Sequence, residues 1–342
     1  MALNKKLVNK NVTIRDVAEE AGVSIALVSF VMNAERGPNG EYLCCASQQT
    51  AERIVAVAKR LGYHSNNAAI SLRSGCSKTI GLIVSDLSNT SFADICRKIE
   101  NLSTDAGYLT IIGSSDDKKD KTDRLISKFM HTGVDGLIVA PCPDNEEAVK
   151  SLLERDIPVV FLDRDIKNIT GVGKVLVDNI KAGEMSAQIL VDQGYKQVML
   201  VRYKTEIRSL LDREEGFVRY MKKKNLTSYV RVVGKETMRD DMIQVIRDAV
   251  EEGVDAVVFP SNSITLAGIA AINRIGYDVP GRLGVVGFDQ EDRTDIFNPA
   301  IIFINQPTKQ VAEYAFKMLI DNIRDGKPLY EISLEPNISK SC

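Results

Sequence analysis

Several polar side chains directly follow apolar runs of the sequence, and these residues are well suited to bind a small ligand. They are Asp86, Asp163 with Arg164, Asp178 with Asn179, Ser261 with Asn262, and Asp289. Carboxylates and a guanidinium at such positions can pair with hydroxyl groups or with ions. Helix N-capping accounts for any one of them, because loops from a strand to a helix often end in Asp, Asn or Ser. As a set, they favour a polar binding cleft.

The sequence lacks the usual motifs of nucleotide binding and catalysis. It has no GxxxxGK[ST], no GxGxxG after a strand and no GxSxG, and "GVGK" at 171–174 has the wrong spacing. Its two histidines, His64 and His131, have no partner at metal-ligand spacing, and its six cysteines form no CxxC pair. We therefore expect no metal, no cofactor and no enzymatic activity.

Ten short apolar runs between residues 79 and 305 are the predicted strands that position the polar set. They alternate with stretches of helical spacing, and such strands, buried on both faces, are typical of parallel sheets. The runs are 79–86, 108–114, 134–141, 157–163, 174–178, 196–201, 230–234, 254–260, 283–289 and 301–305. Because ten strands exceed one comfortable sheet, we predict two doubly wound α/β subdomains with the cleft between them.

Residues 1–63 have a different pattern, that of three short helices. Thr13 with Asp16 resembles a capping box, Gly22 ends the first helix, and Ser24 caps the second. The second helix leaves one face free: Ile25, Ala26, Ser29, Phe30 and Asn33. In a helix-turn-helix this face enters the major groove of DNA. The alternative is a small three-helix core without a partner.

The base-reading positions of that face are apolar. Ile25, Ala26 and Phe30 cannot form bidentate hydrogen bonds but can pack on thymine methyls, which predicts an A·T-containing half-site. Ser29 and Asn33 suit phosphate contacts. Residues 34–46, rich in Gly and Pro, are predicted to form a loop. The alternative is that this loop folds over Phe30 and reads the DNA itself. Ser47 then caps a third helix, which Gly62 ends.

Residues 64–78 join the two parts. Asn66 can cap a short helix carrying Ala69, Leu72 and Arg73, but the segment is too short to be stable alone. Leu72 beside Arg73 has the character of a minor-groove wedge, in which an apolar side chain unstacks a base step. The alternative is an ordinary polar linker.

Composition and charge are consistent with a globular, two-part protein. The chain has 342 residues, of which 44% are hydrophobic and 26% charged, and its net charge is −2. Residues 1–78 hold ten basic and six acidic residues, so a basic head of net charge +4 precedes an acidic remainder of −6. The sequence contains no membrane span and no signal-peptide core, so we expect a cytoplasmic protein.

Together these features resemble the LacI/GalR family of bacterial transcription regulators. The matching stretches are "TIRDVAEEAGVS" (13–24), "LGY" (61–63), Asn66, Ala69, Leu72 and Arg73, "IGLIVSD" (80–86), "VDGLIV" (134–139), "IPVVFLDR" (157–164) and "VPGRLGVVGFD" (279–289). The resemblance implies a helix-turn-helix domain (1–63), a hinge (64–78) and a periplasmic-binding-protein-like effector domain (79–342). It also implies a homodimer that binds double-stranded operator DNA, without a cofactor.

The resemblance assigns two sets of site residues. The DNA-binding set is Thr13, Ser24, Ile25, Ala26, Ser29, Phe30, Asn33, Asn66, Ala69, Leu72 and Arg73, and the effector-binding set is Phe92, Asp163, Asp178, Ser209, Arg213, Asn262 and Asp289. The implied effector is a sugar or a sugar derivative such as a sugar phosphate. The chain departs from the family at Leu27, Ser65, Ile70 and Ser263, and its 34–46 segment is longer. The competing interpretations are a sugar-binding receptor that does not bind DNA and an α/β enzyme.

Overall fold

The structure, a computed structural model, describes residues 12–37, 41–63, 75–289 and 301–340. The chain divides into two compact units, Met1–Ser77 and Lys78–Cys342. Four predicted DNA-binding residues of the hinge, Asn66, Ala69, Leu72 and Arg73, lie outside the described residues. Within the described ranges, no helix has the length and apolar character needed to cross a bilayer.

In the described part of the first unit, three helices surround a small apolar core. They are α1 (Ile14–Ala21), α2 (Ile25–Met32) and α3 (Gln48–Leu61). Ser24 Oγ accepts a hydrogen bond from Leu27 N at 3.2 Å and so caps α2, as predicted. Helix α1 ends at Gly22, whose φ of 64° is the left-handed conformation that glycine adopts without strain. This turn reverses the chain so that Val28 and Val31 of α2 are buried against α1 and α3.

The segment after α2 is not the simple loop predicted for residues 34–46. Strands β1 (Glu35–Arg36) and β2 (Tyr42–Leu43) pair antiparallel, with Glu35 opposite Leu43. Tyr42 N also donates to Gln48 Oε1 at 3.0 Å, which ties β2 to the start of α3. Gly and Pro are common in hairpin turns as well as in loops, so this composition alone does not distinguish a hairpin from a loop.

Among the described residues, the second unit contains two six-stranded sheets, the first of which is parallel throughout. Its strands are β3 (Thr79–Val84), β4 (Leu109–Ser114), β5 (Gly136–Val139), β6 (Val159–Leu162), β7 (Gly173–Val177) and β13 (Glu331–Leu334). They lie in the order β13-β7-β6-β5-β3-β4. Helices pack against both faces of this sheet, and each face has its own apolar core. These helices are α4 (Thr90–Asp105), α5 (Lys119–Thr132), α6 (Glu146–Leu153) and α11 (Thr308–Asp325).

The second sheet consists of β8 (Gln197–Tyr203), β9 (Thr227–Val233), β10 (Ala256–Val258), β11 (Gly284–Phe288), β12 (Ile302–Asn305) and β14 (Asn337–Lys340). These strands lie in the order β14-β12-β11-β10-β8-β9, and β14 runs antiparallel to its neighbour β12. Helices cover both faces. They are α7 (Asn179–Asp192), α8 (Arg208–Lys223), α9 (Met238–Glu251) and α10 (Asn262–Ile275).

All ten predicted strands are present, and the two doubly wound subdomains are confirmed. Strand β9 begins at Thr227, three residues before the predicted run. Strands β13 and β14 were not predicted, because they are short, carry polar residues and lie at sheet edges. Since β13 joins the first sheet and β14 the second, the chain returns to each subdomain near its end.

Helices α7 and α8 approach each other backbone to backbone. A Cβ atom added to Gly183 would collide with the carbonyl oxygen of Arg213, and one added to Gly216 would collide with that of Ile180. Only glycine therefore fits at these two positions. The close contact fixes the position of α8, the helix that carries Arg213, relative to α7.

Candidate functional site

The carboxyl ends of the strands in the second unit surround a cavity of about 490 Å³. Ser85 and Asp86 follow β3, Asp163 and Arg164 follow β6, and Asp289 follows β11, so both sheets contribute to the lining. Asp163 and Asp289 have φ values of 62° and 58°. This left-handed conformation is uncommon outside glycine and is often found at ligand sites.

Arg213, a buried residue of α8, is held firmly at the cavity wall. Its Nε donates to Asn179 Oδ1 and its Nη1 to the carbonyl oxygen of Pro260, both at 2.8 Å. Its guanidinium also lies over the ring of Phe288, 4.6 Å from the ring centre. A guanidinium has five N–H donors, so this arrangement orients Arg213 and leaves donors for a ligand.

Asp289 is buried near Arg213. Gln306 Nε2 donates to its Oδ2 at 3.1 Å. Burial raises the pKa of Asp289 above its ordinary value, although the positive charge of Arg213 and the hydrogen bonds from Gln306 oppose this rise. An acceptor and a donor group therefore lie together on one wall, which is the chemistry that grips a hydroxyl group.

A second charged cluster lies at the same cavity. Arg164 Nη1 is 2.6 Å from Asp117 Oδ1, and Arg164 Nε is 3.2 Å from Asp163 Oδ2. Burial disfavours the charge of Arg164, but the two carboxylates hold its pKa above the ordinary value. Burial alone would raise the pKa of Asp117, yet Arg164 and then Lys235 hold it below the ordinary value. The charged forms of Arg164 and Asp117 therefore stabilise each other.

Ser261 and Tyr203 complete the polar lining. Ser261 Oγ is buried and has no hydrogen-bond partner among the described residues. An unpaired buried hydroxyl is unfavourable, so this atom is suited to a ligand's hydrogen bond. Burial, followed by the negative charge of Asp117, raises the pKa of Tyr203 to about 12. Tyr203 therefore keeps its proton and can donate it in a hydrogen bond.

Five of the seven predicted effector-binding residues line this cavity: Phe92, Asp163, Ser209, Arg213 and Asp289. The other two hold the scaffold. Asp178 caps α7, its Oδ1 accepting from Lys181 N at 2.8 Å, and Asn262 Nδ2 donates to the backbone oxygen of Asp289 at 3.2 Å. For Asp178, the helix-capping interpretation describes what its side chain does.

Several lining residues were not predicted from the sequence: Asp117, Lys235, Ser263 and Gln306 were not identified as site residues, and Arg164 was identified only as a residue at the end of a strand. Asp117 and Gln306 lie within three residues of the end of a predicted strand. A search for polar residues after every predicted strand would therefore have found both. Lys235 has no such signal, because β9 is a partly polar edge strand. No group of three His, Cys, Asp or Glu side chains within the described ranges is arranged to hold a metal ion.

The first unit presents the predicted reading face of α2. Ile25 is 44% exposed and Phe30 59% exposed, and Ala26 and Asn33 are also exposed, whereas Ser29 is half-buried. Because Phe30 is largely exposed, the described part of the 34–46 segment, residues 34–37 and 41–46, does not bury it. Asn33 Nδ2 donates to the backbone oxygen of Ser29 at 2.8 Å. Thr13 N donates to Asp16 Oδ2 at 2.7 Å, so Thr13 begins α1 as predicted.

Comparisons with known proteins agree with this arrangement. The family model described as "Bacterial regulatory proteins, lacI family" matches residues 13–66, and "Periplasmic binding protein domain" matches residues 80–328. Catabolite control protein A of Priestia megaterium is 30% identical over 315 residues, which cover 90% of this chain and 92% of that protein. The transcriptional repressor PurR of Vibrio vulnificus is 26% identical over 319 residues, covering 92% of each.

A solved structure of similar fold is the Lac repressor dimer bound to operator and the anti-inducer ONPF. Its TM-score is 0.80 at 21% identity, and the match covers 97% of this chain and 99% of that chain. Helix α2 lies within the stretch matched by the lacI model, and the residues that line the cavity lie within the stretch matched by the periplasmic-binding-protein model. The chain belongs to the lacI family of bacterial regulatory proteins and is a DNA-binding transcription regulator with a ligand-binding domain.

Proposed function

We propose that this protein is a homodimeric regulator that binds operator DNA through α2 and responds to a sugar-like effector in its cavity. One observation carries the DNA-binding part. Helix α2 is capped by Ser24 and anchored by buried Val28 and Val31, yet it leaves Ile25 and Phe30 exposed. Apolar side chains exposed on an ordered helix favour a partner surface. The cytoplasm, where the DNA is, is the proposed location.

Two heads of a dimer would enter successive major grooves of a near-palindromic operator. Ile25, Ala26 and Phe30 would pack on thymine methyls. Ser29 and Asn33 would contact phosphate groups, and Asn33 Nδ2 is positioned by hydrogen bonds to the backbone oxygen of Ser29 at 2.8 Å and to its Oγ at 3.5 Å. The hinge residues Asn66, Ala69, Leu72 and Arg73 would form a helix on the DNA, with Leu72 inserted into the minor groove.

The effector would lie between the two sheets. Arg213 and Asp289 offer donors and an acceptor to hydroxyl groups, Phe92 offers an apolar surface to a ring, and Ser261 Oγ has no hydrogen-bond partner among the described residues. This chemistry favours a polyhydroxylated ligand. Binding would change the angle between the subdomains and so alter operator affinity. Because such coupling is reciprocal, the operator would change effector affinity by the same factor. We assign the cavity binding and no catalysis.

Two edge strands support the homodimer. Leu109 of β4 is 64% exposed and Val232 of β9 is 49% exposed, and each of these strands is one of the two edges of its sheet. Exposed apolar edges are normally covered. We expect light scattering to show a dimer for the wild type and a monomer for the double variant Leu109→Glu, Val232→Glu. Ile338→Glu tests the opposite edge strand β14, where Ile338 is also exposed; a monomer from this variant alone would place the interface at that edge instead.

The proposed function is tested by selecting DNA from a random pool with the full-length protein. We expect enrichment of a near-palindromic, A·T-containing site and a steep loss of affinity with increasing salt, because phosphate contacts release counterions. A chain that enriches no sequence at any salt concentration, with or without a panel of sugars, would support the receptor interpretation instead.

A further inference from the structure

The carboxylate of Asp117 is held at both of its oxygens by cations that line the cavity. Arg164 Nη1 lies 2.6 Å from Oδ1, and Lys235 Nζ lies 3.2 Å from Oδ2. One cation on each oxygen is also the way in which proteins bind the phosphate or carboxylate group of a ligand. Here the chain supplies the anion itself.

The three residues come from different parts of the second unit. Asp117 lies in the loop between β4 and α5, and Arg164 follows β6 of the same sheet. Lys235 follows β9 of the other sheet, so the pair of Asp117 with Lys235 spans the cavity between the subdomains. Asp117 also has a φ of 57°, and this strained backbone is maintained where the carboxylate meets the two cations.

The surroundings of Asp117 disfavour its exchange for an external anion. Arg164 is already paired with Asp163 as well, and Lys235 lies over the ring of Tyr203, 5.5 Å from the ring centre. Six of the cavity-lining side chains are carboxylates and four are cations. An anionic ligand that displaced Asp117 would leave this carboxylate unpaired in a partly buried site, which is unfavourable.

We infer that Asp117 is a specificity-determining residue, which occupies the anion position formed by Arg164 and Lys235 and restricts the cavity to uncharged polyhydroxylated ligands. The inference rests on the proposed function insofar as it concerns the effector. It predicts that sugars bind and that their phosphorylated forms are rejected. It also predicts that the cavity becomes a phosphate site once Asp117 loses its charge, because Arg164 and Lys235 remain in place.

The test is calorimetric titration of the full-length protein with inorganic phosphate in a buffer free of other oxyanions. We expect Asp117→Asn to bind phosphate at least about tenfold more tightly than the wild type. Asp120→Asn is the matched control, because it removes the same charge from an exposed position three residues along the chain. It should leave phosphate binding at the wild-type level. Adding Lys235→Gln to Asp117→Asn should reverse the gain.

A second measurement uses the wild type alone and so does not depend on the folding of a variant. Each sugar in a panel is titrated beside its phosphorylated form, and we expect the phosphorylated form to bind at least about tenfold more weakly. Tighter binding of the phosphorylated form would overturn the inference, as would a folded Asp117→Asn variant that gains no phosphate affinity. If Asp117→Asn gains phosphate affinity while no sugar binds the wild type, the role of Asp117 stands and the sugar effector is refuted.

Discussion

The reading helix and the ligand cavity reverse the usual distribution of side chains in opposite ways. On α2, Ile25 and Phe30 are exposed although they are apolar, whereas at the cavity Arg213 and Asp289 are buried although they are charged. Each arrangement is unfavourable without a partner, since apolar surface prefers burial and buried charge prefers hydration. Both regions therefore favour a binding partner. The exposed apolar side chains of α2 favour a surface with methyl groups, and the buried charged side chains of the cavity favour a polar small molecule.

The two regions also differ in how their residues are supported. The exposed side chains of α2 take little part in the core of the head, which Val17, Val28 and Ile54 form. The cavity residues, by contrast, hold the surrounding backbone, as the bond from Arg213 to Pro260 illustrates. We therefore expect substitutions of the exposed α2 side chains to change recognition alone, and substitutions in the cavity to change recognition and stability together.

Arg213→Ala should have the largest effect of these variants on sugar affinity and on stability. If it changed neither, the contrast between the cavity and α2 would be wrong. It removes the donors available to a ligand and leaves Asn179 Oδ1 and the Pro260 carbonyl without this partner. We expect sugar affinity to fall by at least about 100-fold, and the free energy of unfolding to fall by about 1–3 kcal/mol. Calorimetry and urea denaturation measure the two effects. Arg208→Ala, on the same helix but exposed, should change neither by much; a ligand whose affinity survives Arg213→Ala binds elsewhere.

Phe30→Ala should have a smaller effect, confined to DNA binding. Because Phe30 is exposed, we expect the unfolding free energy to change by no more than about 0.5 kcal/mol. Operator affinity should fall about tenfold, with altered base preference on reselection, in line with the roughly 1–3 kcal/mol that a lost base contact is worth. Val28→Ala is the contrasting control, because that side chain is fully buried and its loss should destabilise the head. Equal destabilisation by both variants would show that Phe30 belongs to the core.

Asp289→Asn should have the smallest effect on stability at about pH 4 and an effect that grows as pH rises. The folded-state pKa of Asp289 is raised by burial, so its contribution to stability is fully present below the unfolded-state pKa of about 3.9 and is lost as pH rises through the folded-state pKa. The variant carries no such charge. Relative to the wild type, Asp289→Asn should gain stability as pH rises from about 4 towards neutrality. Denaturation curves across this range measure the difference, and a gain that grows towards acid pH would contradict the assignment.

The sequence predicted the framework of this molecule better than the details of its cavity. Apolar runs such as those of β3 and β5 identify buried parallel strands, and Ser24 and Gly22 identify the limits of α2 and α1. Asp163 and Asp178 have the same local signal, an acid after an apolar run, yet only Asp163 faces the cavity. The difference lies in the backbone: Asp163 adopts a left-handed conformation and Asp178 begins a helix. Lys235 meets Asp117 only through the pairing of two subdomains, which no local pattern encodes.

The glycine contact between α7 and α8 determines how the cavity can change. Arg213 on α8 bonds to Asn179 on α7, and the distance between these helices is set by touching backbones at Gly183 and Gly216, with no side chain between them. Side-chain substitutions cannot bring these helices closer, and a single added methyl group would force them apart. The position of Arg213 is therefore fixed by the backbone. A new ligand preference would have to arise from changes in the residues around it, such as Asp117.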